Sequence, residues 1–266
     1  MPQNSKEDKL QAFSRLLDIM DELREKCPWD MKQTIDSLRH LSIEEVHELS
    51  DAILQNDMDE IKKELGDVLL HIVFYARIAS ETTHFDIADV INSLCEKLIR
   101  RHPHIYGNVE VENEEQVKQN WEQIKQTENK GEKSVLSGVP QSLPALLKAM
   151  RMQEKARAVG FDWEEKEQVW QKVEEEMQEF QAEFNPSSSF DAQKAEAEFG
   201  DLLFSLVNYA RFVDINPETA LERTNQKFQK RFQYLEKKAK ENGKKLSEMT
   251  LAEMDVYWNE AKTHSL

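Results

Sequence analysis

The sequence predicts an all-α protein made of two tandem helical bundle modules, and three observations support this fold class. The 266-residue chain has only 7 glycines and 7 prolines, far fewer than a turn-rich β protein would need. Hydrophobic residues make up 39% and charged residues 32%, a balance typical of amphipathic helices. One ordered series of motifs also occurs twice along the chain, which indicates an internal repeat.

Six segments have apolar residues at helical spacing. The predicted helices are 43–54, 58–79 and 85–101 in the first half, and 166–184, 190–212 and 217–240 in the second. Between the halves, glycines and prolines occur among polar residues, which weakens helix formation. We therefore predict an N-terminal module at 1–130, a linker at 131–144 and a C-terminal module at 145–266.

Charge and cysteine content exclude several classes of protein. The formal net charge is -16, which argues against a protein that binds a nucleic acid polymer through its overall field. Cys27 and Cys95 form neither a CxxC pair nor a disulfide framework, which fits a reducing compartment. The N-terminus is polar, and no apolar run reaches the roughly 18 residues of a membrane span. We expect a cytoplasmic protein that binds no membrane.

Each half contains Glu-Glu-x-x-Glu, followed on the next predicted helix by Glu-x-Gly-Asp before an apolar run. Residues three apart share a helix face, so each helix presents one acidic pair. If the two helices pack antiparallel, four carboxylates converge, and their repulsion favours bound cations over a merely solvated acidic face. The predicted ligands are Glu45, Glu48, Glu64 and Asp67 in the first half, and Glu176, Glu179, Glu198 and Asp201 in the second.

The ligand types indicate which metal the clusters would hold. An all-oxygen set suits Mg²⁺, with Mn²⁺ as a second possibility. Di-iron bundles also gather carboxylates, but they use Glu-x-x-His on two helices, and the second half has no such motif. His71 follows Asp67 by four residues, yet its counterpart is Ser205. We therefore interpret His71 as a core histidine or as a support for a ligand.

Basic and aromatic residues follow each acidic block. Lys97 with Arg101, and Lys227 with Arg231, have i,i+4 spacing and form two-cation faces suited to a polyphosphate. Two tryptophans are each followed four residues later by a lysine. Their rings are candidates for stacking on a nucleobase, or for anchoring the core. These pairs are Trp121 with Lys125, and Trp258 with Lys262.

The acidic pattern resembles that of the MazG family of nucleoside triphosphate pyrophosphohydrolases, relatives of the all-α dimeric dUTPases. The resemblance covers nearly the whole chain and looks like the tandem two-module form. It implies hydrolysis of nucleoside triphosphates between the α and β phosphates, with little discrimination among bases, by a Mg²⁺-dependent homodimer. Further matching phrases are Cys27-Pro-Trp-Asp30, Arg101-His-Pro-His104, Trp121-Glu-Gln-Ile-Lys125, Val159-Gly-Phe-Asp-Trp163 and Lys227 to Phe232.

The resemblance also implies roles for individual residues. The metal ligands would be the eight carboxylates named above, and a water activated by the metal would attack the α phosphorus. Either Glu175 or a ligand carboxylate would accept the proton, so the catalytic set is Glu175, Glu176, Glu179, Glu198 and Asp201. The implied nucleotide contacts are Lys172, Lys194, Lys227, Arg231 and Trp258, with Lys262 and Lys125 as weaker candidates.

The two halves are not equal in their basic residues. Lys172 and Lys194 each precede a carboxylate of the second cluster by four residues, whereas Leu41 and Glu60 stand at the equivalent first-half positions. A triphosphate site would lose two cations there. We therefore predict that the second module carries most of the turnover.

Two other functions stay open at this point. One is a non-catalytic helical protein whose acidic faces dock a basic partner. The other is a metal-dependent phosphohydrolase that acts on a phosphoribosyl nucleotide or a nucleotide sugar. The sequence has no GxxxxGK[ST] phosphate loop, no GxSxG elbow and no Cys/His zinc spacing.

Overall fold

The computed structural model of the protein describes residues 4–113, 116–117, 120–121, 124–125, 128, 134–184 and 190–264. Its regular structure is helical, with no strand among these residues, so the predicted all-α class is confirmed. The chain divides into two compact units, Met1–Gln116 and Val117–Leu266. Residues 134–144 of the predicted linker form turns and irregular backbone, and the module boundaries stay a prediction.

The described residues of the first unit form five α-helices. They are α1 (Lys6–Lys26), α2 (Ile35–Gln55), α3 (Met58–Ser80), α4 (Ile87–Arg101) and the short α5 (Pro103–Tyr106). Helix α2 begins eight residues before its predicted start because Thr34 and Ser37 form a capping box there. Asn56, in the left-handed region, ends α2, and Asp57 caps α3 by accepting hydrogen bonds from two backbone amides.

Helices α2 and α3 form an antiparallel pair. Residues later in α2 contact residues earlier in α3. Ser42 meets Tyr75 near one end, and Glu48 meets Glu64 nearer the turn. The other side of α3 packs on α1 through a core whose buried members are Met20, Leu38, Val73 and Phe74. This core fixes the register in which the acidic residues of the two helices face each other.

The second unit contains a further five helices among its described residues. They are α6 (Ala145–Arg157), α7 (Lys166–Ala182), α8 (Ala192–Phe212), α9 (Pro217–Glu241) and α10 (Leu251–Thr263). Helices α7 and α8 are antiparallel as well. The rings of Trp170 and Tyr209 lie 4.8 Å apart at one end of the pair, and those of Phe180 and Phe199 lie 5.3 Å apart towards the other.

All six predicted helices have observed counterparts, while α1, α5, α6 and α10 were not predicted. Local signals for two of these four exist, since Ser5 with Asp8 and Thr250 with Glu253 form capping boxes. In the described part of the chain, no helix combines the length and apolar character that crossing a membrane requires.

Candidate metal centres

Glu176 is the central residue of the acidic cluster in the second unit. Its carboxylate belongs to two groups, and the oxygens within each group lie within 4.8 Å of one another. One group includes Glu198 and Asp201 across the helix pair, and the other includes Glu175 and Glu179 along α7. Glu176 is only 7% exposed, whereas most of its acidic neighbours are exposed. The antiparallel pairing of α7 and α8 thus gathers carboxylates around one buried member.

Glu64 plays the corresponding part in the first unit. Its carboxylate oxygens lie in a group within 4.8 Å that also includes Glu45 and Glu48. Glu64 is 1% exposed, and within the described residues its Oε2 has no hydrogen-bond partner. A buried carboxylate oxygen without a partner is costly, so this atom is suited to a cation. The all-carboxylate donor set fits Mg²⁺ or Mn²⁺.

Mutual repulsion is visible in the electrostatics of both clusters. Burial, followed by the charges of Asp67, Glu48 and Glu64, raises the pKa of Glu45 above 4.5. Asp67 therefore acts on the first cluster through its charge, although it stands outside the tight group. Burial and the charges of neighbouring carboxylates likewise raise the pKa of Glu179. A bound divalent cation would relieve this repulsion.

The two lysines singled out in the second half have different partners. Lys172 Nζ lies 2.6 Å from Glu176 Oε1 and 2.8 Å from Glu175 Oε1. Lys194 pairs with Glu183, near the end of α7, and its pKa is raised by that pairing and by the charge of Glu198. Lys172 is thus directly at the cluster, while Lys194 stands beside it.

Lys63 is a cation that the sequence analysis missed. Its Nζ lies 2.8 Å from Glu64 Oε1 and 2.7 Å from Glu60 Oε1. Lys63 is adjacent to Glu64 in sequence, and adjacent residues do not share a helix face. The contact depends on the reach of the lysine side chain, so residue spacing carries no signal for it.

His71 links the first cluster to the core. Its Nε2 is 3.9 Å from Glu45 Oε1, and its Nδ1 is 2.9 Å from Ser42 Oγ, which in turn is 2.7 Å from Tyr75 Oη. Burial lowers the pKa of His71, which favours its neutral form. The histidine therefore packs in the core and faces a candidate ligand. At the equivalent position, the buried Ser205 donates to Leu202 O.

The remaining predicted contacts lie on other helices. Lys97 and Arg101 are on α4, and the exposed Lys227 and half-buried Arg231 are on α9. Trp258 on α10 packs against Phe228, with ring centroids 5.1 Å apart. Lys262 pairs with Asn259, and Lys125 Nζ lies 4.5 Å from the ring centroid of Trp121.

Phe228 is a second residue that the sequence analysis did not single out. Its ring is largely exposed, and it also stacks on Phe232 with centroids 6.1 Å apart. The signal was present, because Phe228 lies within the phrase from Lys227 to Phe232 that carried the family resemblance.

Comparison with known proteins places this arrangement in context. The MazG nucleotide pyrophosphohydrolase domain matches residues 33–106, which contain the first acidic cluster. A Thermotoga maritima protein named nucleoside triphosphate pyrophosphohydrolase/pyrophosphatase MazG is 44% identical over 253 residues, covering 94% of this chain and 95% of the relative. The Escherichia coli nucleoside triphosphate pyrophosphohydrolase is 38% identical over 262 residues, covering 97% of this chain and 99% of the relative.

In two further matches, the alignment covers only part of one of the two proteins compared. Bacillus subtilis protein YabN, which is uncharacterized, is 50% identical over 262 residues, which are 97% of this chain and 53% of YabN. The crystal structure of a mazG-related protein from Thermotoga maritima is 27% identical with a TM-score of 0.38, and the match covers 42% of this chain and 98% of that one.

Proposed function

This chain belongs to the MazG family of nucleotide pyrophosphohydrolases, and we propose that it cleaves ribo- and deoxyribonucleoside triphosphates to a nucleoside monophosphate and pyrophosphate with Mg²⁺, or Mn²⁺, held by its acidic clusters. The two long relatives described above carry the general activity in their names. The observation that carries the metal assignment is the convergence of Glu176, Glu198 and Asp201 around a buried carboxylate.

In the second unit, Glu176, Glu179, Glu198 and Asp201 would hold the cation. When bound, Mg²⁺ neutralises phosphate charge and makes a coordinated water more acidic. Glu175, which adjoins Glu176 and is exposed, would take up the proton released, and a ligand carboxylate is the alternative. The equivalent ligands in the first unit would be Glu45, Glu48, Glu64 and Asp67.

Basic residues would hold the triphosphate where the metal does not. Lys172 is already at the cluster, 2.6 Å from Glu176, and Lys194 stands beside it. Lys227 and Arg231 on α9 would add charge along the polyphosphate. An ammonium or guanidinium group makes strong charge-assisted hydrogen bonds with phosphate oxygens, so each of these residues supplies orientation as well as attraction.

Broad base specificity follows from the kind of contact available to the base. Trp258 and Phe228 pack together with their ring centroids 5.1 Å apart, and stacking on such a ring would accept any base because every base has a π face. Lys262 and Lys125 are weaker candidates, since Lys262 pairs with Asn259 and Lys125 lies over the Trp121 ring.

We further propose a homodimer and a cytoplasmic location. The dimer is supported by α4, which leaves the large apolar side chains of Ile91, Leu94 and Leu98 exposed within the described chain. The location is supported by Cys27 and Cys95, which are both free thiols. Light scattering after size exclusion would report a mass of two chains if the dimer proposal is right, and of one chain if it is wrong.

The experiment that tests the main proposal measures pyrophosphate release from a panel of ribo- and deoxyribonucleoside triphosphates. Each is assayed with Mg²⁺ and with a chelator, for the native chain, Glu198→Gln and Glu196→Gln. Glu196 is a matched control because it is an exposed carboxylate on the same helix. We expect Glu198→Gln to lose activity by on the order of 100-fold, and Glu196→Gln to keep it. Absence of release from every triphosphate would refute the proposal.

A further inference from the structure

The first unit contains a lysine that bridges carboxylates just as Lys172 does in the second unit. Lys63 Nζ lies 2.8 Å from the buried Glu64 and 2.7 Å from the exposed Glu60. Lys172 bridges its own buried and exposed carboxylates at 2.6 Å and 2.8 Å. In each unit, one ammonium therefore touches the most buried carboxylate of the cluster and remains accessible at its edge.

The two lysines reach this position from opposite helices of the pair. Lys172 is on α7, the first helix of its pair, whereas Lys63 is on α3, the second helix. The position equivalent to Lys172 is occupied by Leu41, which cannot supply a charge. Compared with the second cluster, the first cluster thus lacks a cation at one position and has one on the facing helix.

Glu64 has more binding capacity than Lys63 uses. Lys63 contacts Oε1, while Oε2 accepts no hydrogen bond from any described residue, although the side chain is only 1% exposed. Oxygens of Glu45 and Glu48 lie in the same tight group. A divalent cation at this group would satisfy Oε2 and neutralise Glu64, so that the carboxylate would need its ammonium partner less.

The side chain of Lys63 is free enough to exchange Glu64 for a phosphate group. Its side chain is 59% exposed, so its Nζ can turn away from Glu64 without disturbing the core. A lysine ammonium is a compact charge with three donors on a flexible stem, which suits it to phosphate oxygens that approach from different directions.

We propose that Lys63 is the phosphate-binding lysine of a second nucleotide site in the first unit. The inference rests on the proposed function, because the phosphate belongs to a nucleotide held with the metal at Glu45, Glu48 and Glu64. It gives the first module a substrate contact of its own, at a position that Ala197 occupies in the second module.

The test uses the full chain with Glu176→Gln and Glu198→Gln, which disable the second cluster. In this background, Lys63→Ala is compared with Lys62→Ala, a matched control whose lysine is well exposed and pairs with Asp59. Two bindings are measured: Mn²⁺ alone, by the electron paramagnetic resonance of the free ion, and an ATP analogue with a methylene group between the α and β phosphates, by calorimetry with Mn²⁺.

We expect Lys63→Ala to weaken binding of the analogue by about tenfold or more, while Mn²⁺ affinity changes by less than about threefold. Lys62→Ala should leave both affinities within about twofold, and Lys63→Arg should restore most of the loss. Lys63→Met keeps the apolar stem and serves as the neutral variant if the alanine variant does not retain native helicity.

Equal binding of the analogue by the Lys63→Ala and Lys62→Ala variants would overturn the inference, since Lys63 would then be only the counter-ion of Glu64. A parallel loss of Mn²⁺ and analogue binding would also overturn it, because the lysine would then act by arranging the carboxylates. Failure of the proposed function looks different: the chain with both clusters intact would bind no analogue and release no pyrophosphate.

Discussion

Arg211, near the end of α8, holds the carboxylate of Asp162 with two hydrogen bonds across 49 residues of chain. Asp162 lies in the connection between α6 and α7, within the phrase from Val159 to Trp163. Arg211 is only 8% exposed, and Asn208 accepts two further hydrogen bonds from its guanidinium group. This pair ties the connection before α7 to the end of α8, and so helps to set the position of the acidic residues that α7 carries.

Replacing Asp162 should destabilise the second unit strongly. Asp162→Ala leaves a buried guanidinium without its carboxylate, and we expect a loss of about 3 kcal/mol in the free energy of unfolding. Urea unfolding followed by circular dichroism would measure it. As a control, Glu248→Ala breaks the well-exposed ion pair between Lys245 and Glu248. It should lower the free energy of unfolding by no more than about 0.5 kcal/mol. Similar losses in the two variants would show that the Arg211 pair adds no special stability.

The two acidic clusters should contribute unequally to turnover. The double variant Glu176→Ala, Glu179→Ala should lose on the order of 100-fold in pyrophosphate release, because the second unit has Lys172 and Lys194 at or beside its cluster. The double variant Glu45→Ala, Glu48→Ala should retain the larger part of the activity. The ranking is wrong if the first-unit variant is the inactive one.

Metal affinity should fall as the pH is lowered from neutrality towards 4.5. The pKa values of Glu45 and Glu179 are raised above 4.5, so protons compete with the cation for both carboxylates in this range. Calorimetric titration with Mg²⁺ at pH 7.5 and pH 5.5 would measure the difference. The variant Glu45→Gln, Glu179→Gln should bind more weakly and with a smaller pH dependence, and an unchanged pH dependence would count against these two ligands.

Without metal, the carboxyl groups of Glu45 and Glu179 should make the fold more stable as the pH is lowered, whereas metal binding weakens as the pH is lowered. A carboxyl whose pKa is raised in the folded state stabilises the fold when protonated, and this contribution is lost as the pH rises through the raised pKa. In chelator, these groups therefore favour the fold more at pH 5 than at pH 7.5. Added Mg²⁺ should raise the melting temperature more at pH 7.5, and a larger rise at pH 5 would contradict this assignment.

Gly66 and Gly200 occupy equivalent positions inside α3 and α8, and a methyl group added at either would meet no atom within 4 Å. Because glycine is a poor helix former, Gly66→Ala and Gly200→Ala should each stabilise the chain by about 0.5–1 kcal/mol. Gly243→Ala is the contrasting control, since its φ of +67° strains any other residue. Destabilisation by Gly66→Ala in thermal unfolding would reveal a close neighbour supplied by another molecule.

The pairing of acidic helices was predictable because helical spacing and antiparallel packing are both rules of local geometry. The motifs around Glu45 and Glu64 therefore indicated which carboxylates converge, and the structure brings Glu45, Glu48 and Glu64 together. Their individual burial was not predictable. Glu64 is 1% exposed while Glu48 is exposed, and the motif, which gives both the same residue type, does not encode that difference.

The ion pairs of the lysines depend on side-chain conformation, and residue spacing predicts them poorly. Lys194 was expected beside Glu198, yet its ion pair is with Glu183, the residue that follows α7. Lys63 was missed because its contact with Glu64 joins adjacent residues. The capping boxes that begin α1 and α10 are a different case, since both patterns are visible in the sequence.

The turn between α2 and α3 consists of only Asn56 and Asp57. Closing so short a loop costs little chain entropy, and contacts between neighbouring helices form early in folding. The first acidic cluster is therefore a product of local folding, complete once a single hairpin has formed. A hairpin that carries its own ligand set can be copied within a gene as one piece, and each copy can then change its surrounding residues while its carboxylates stay in register.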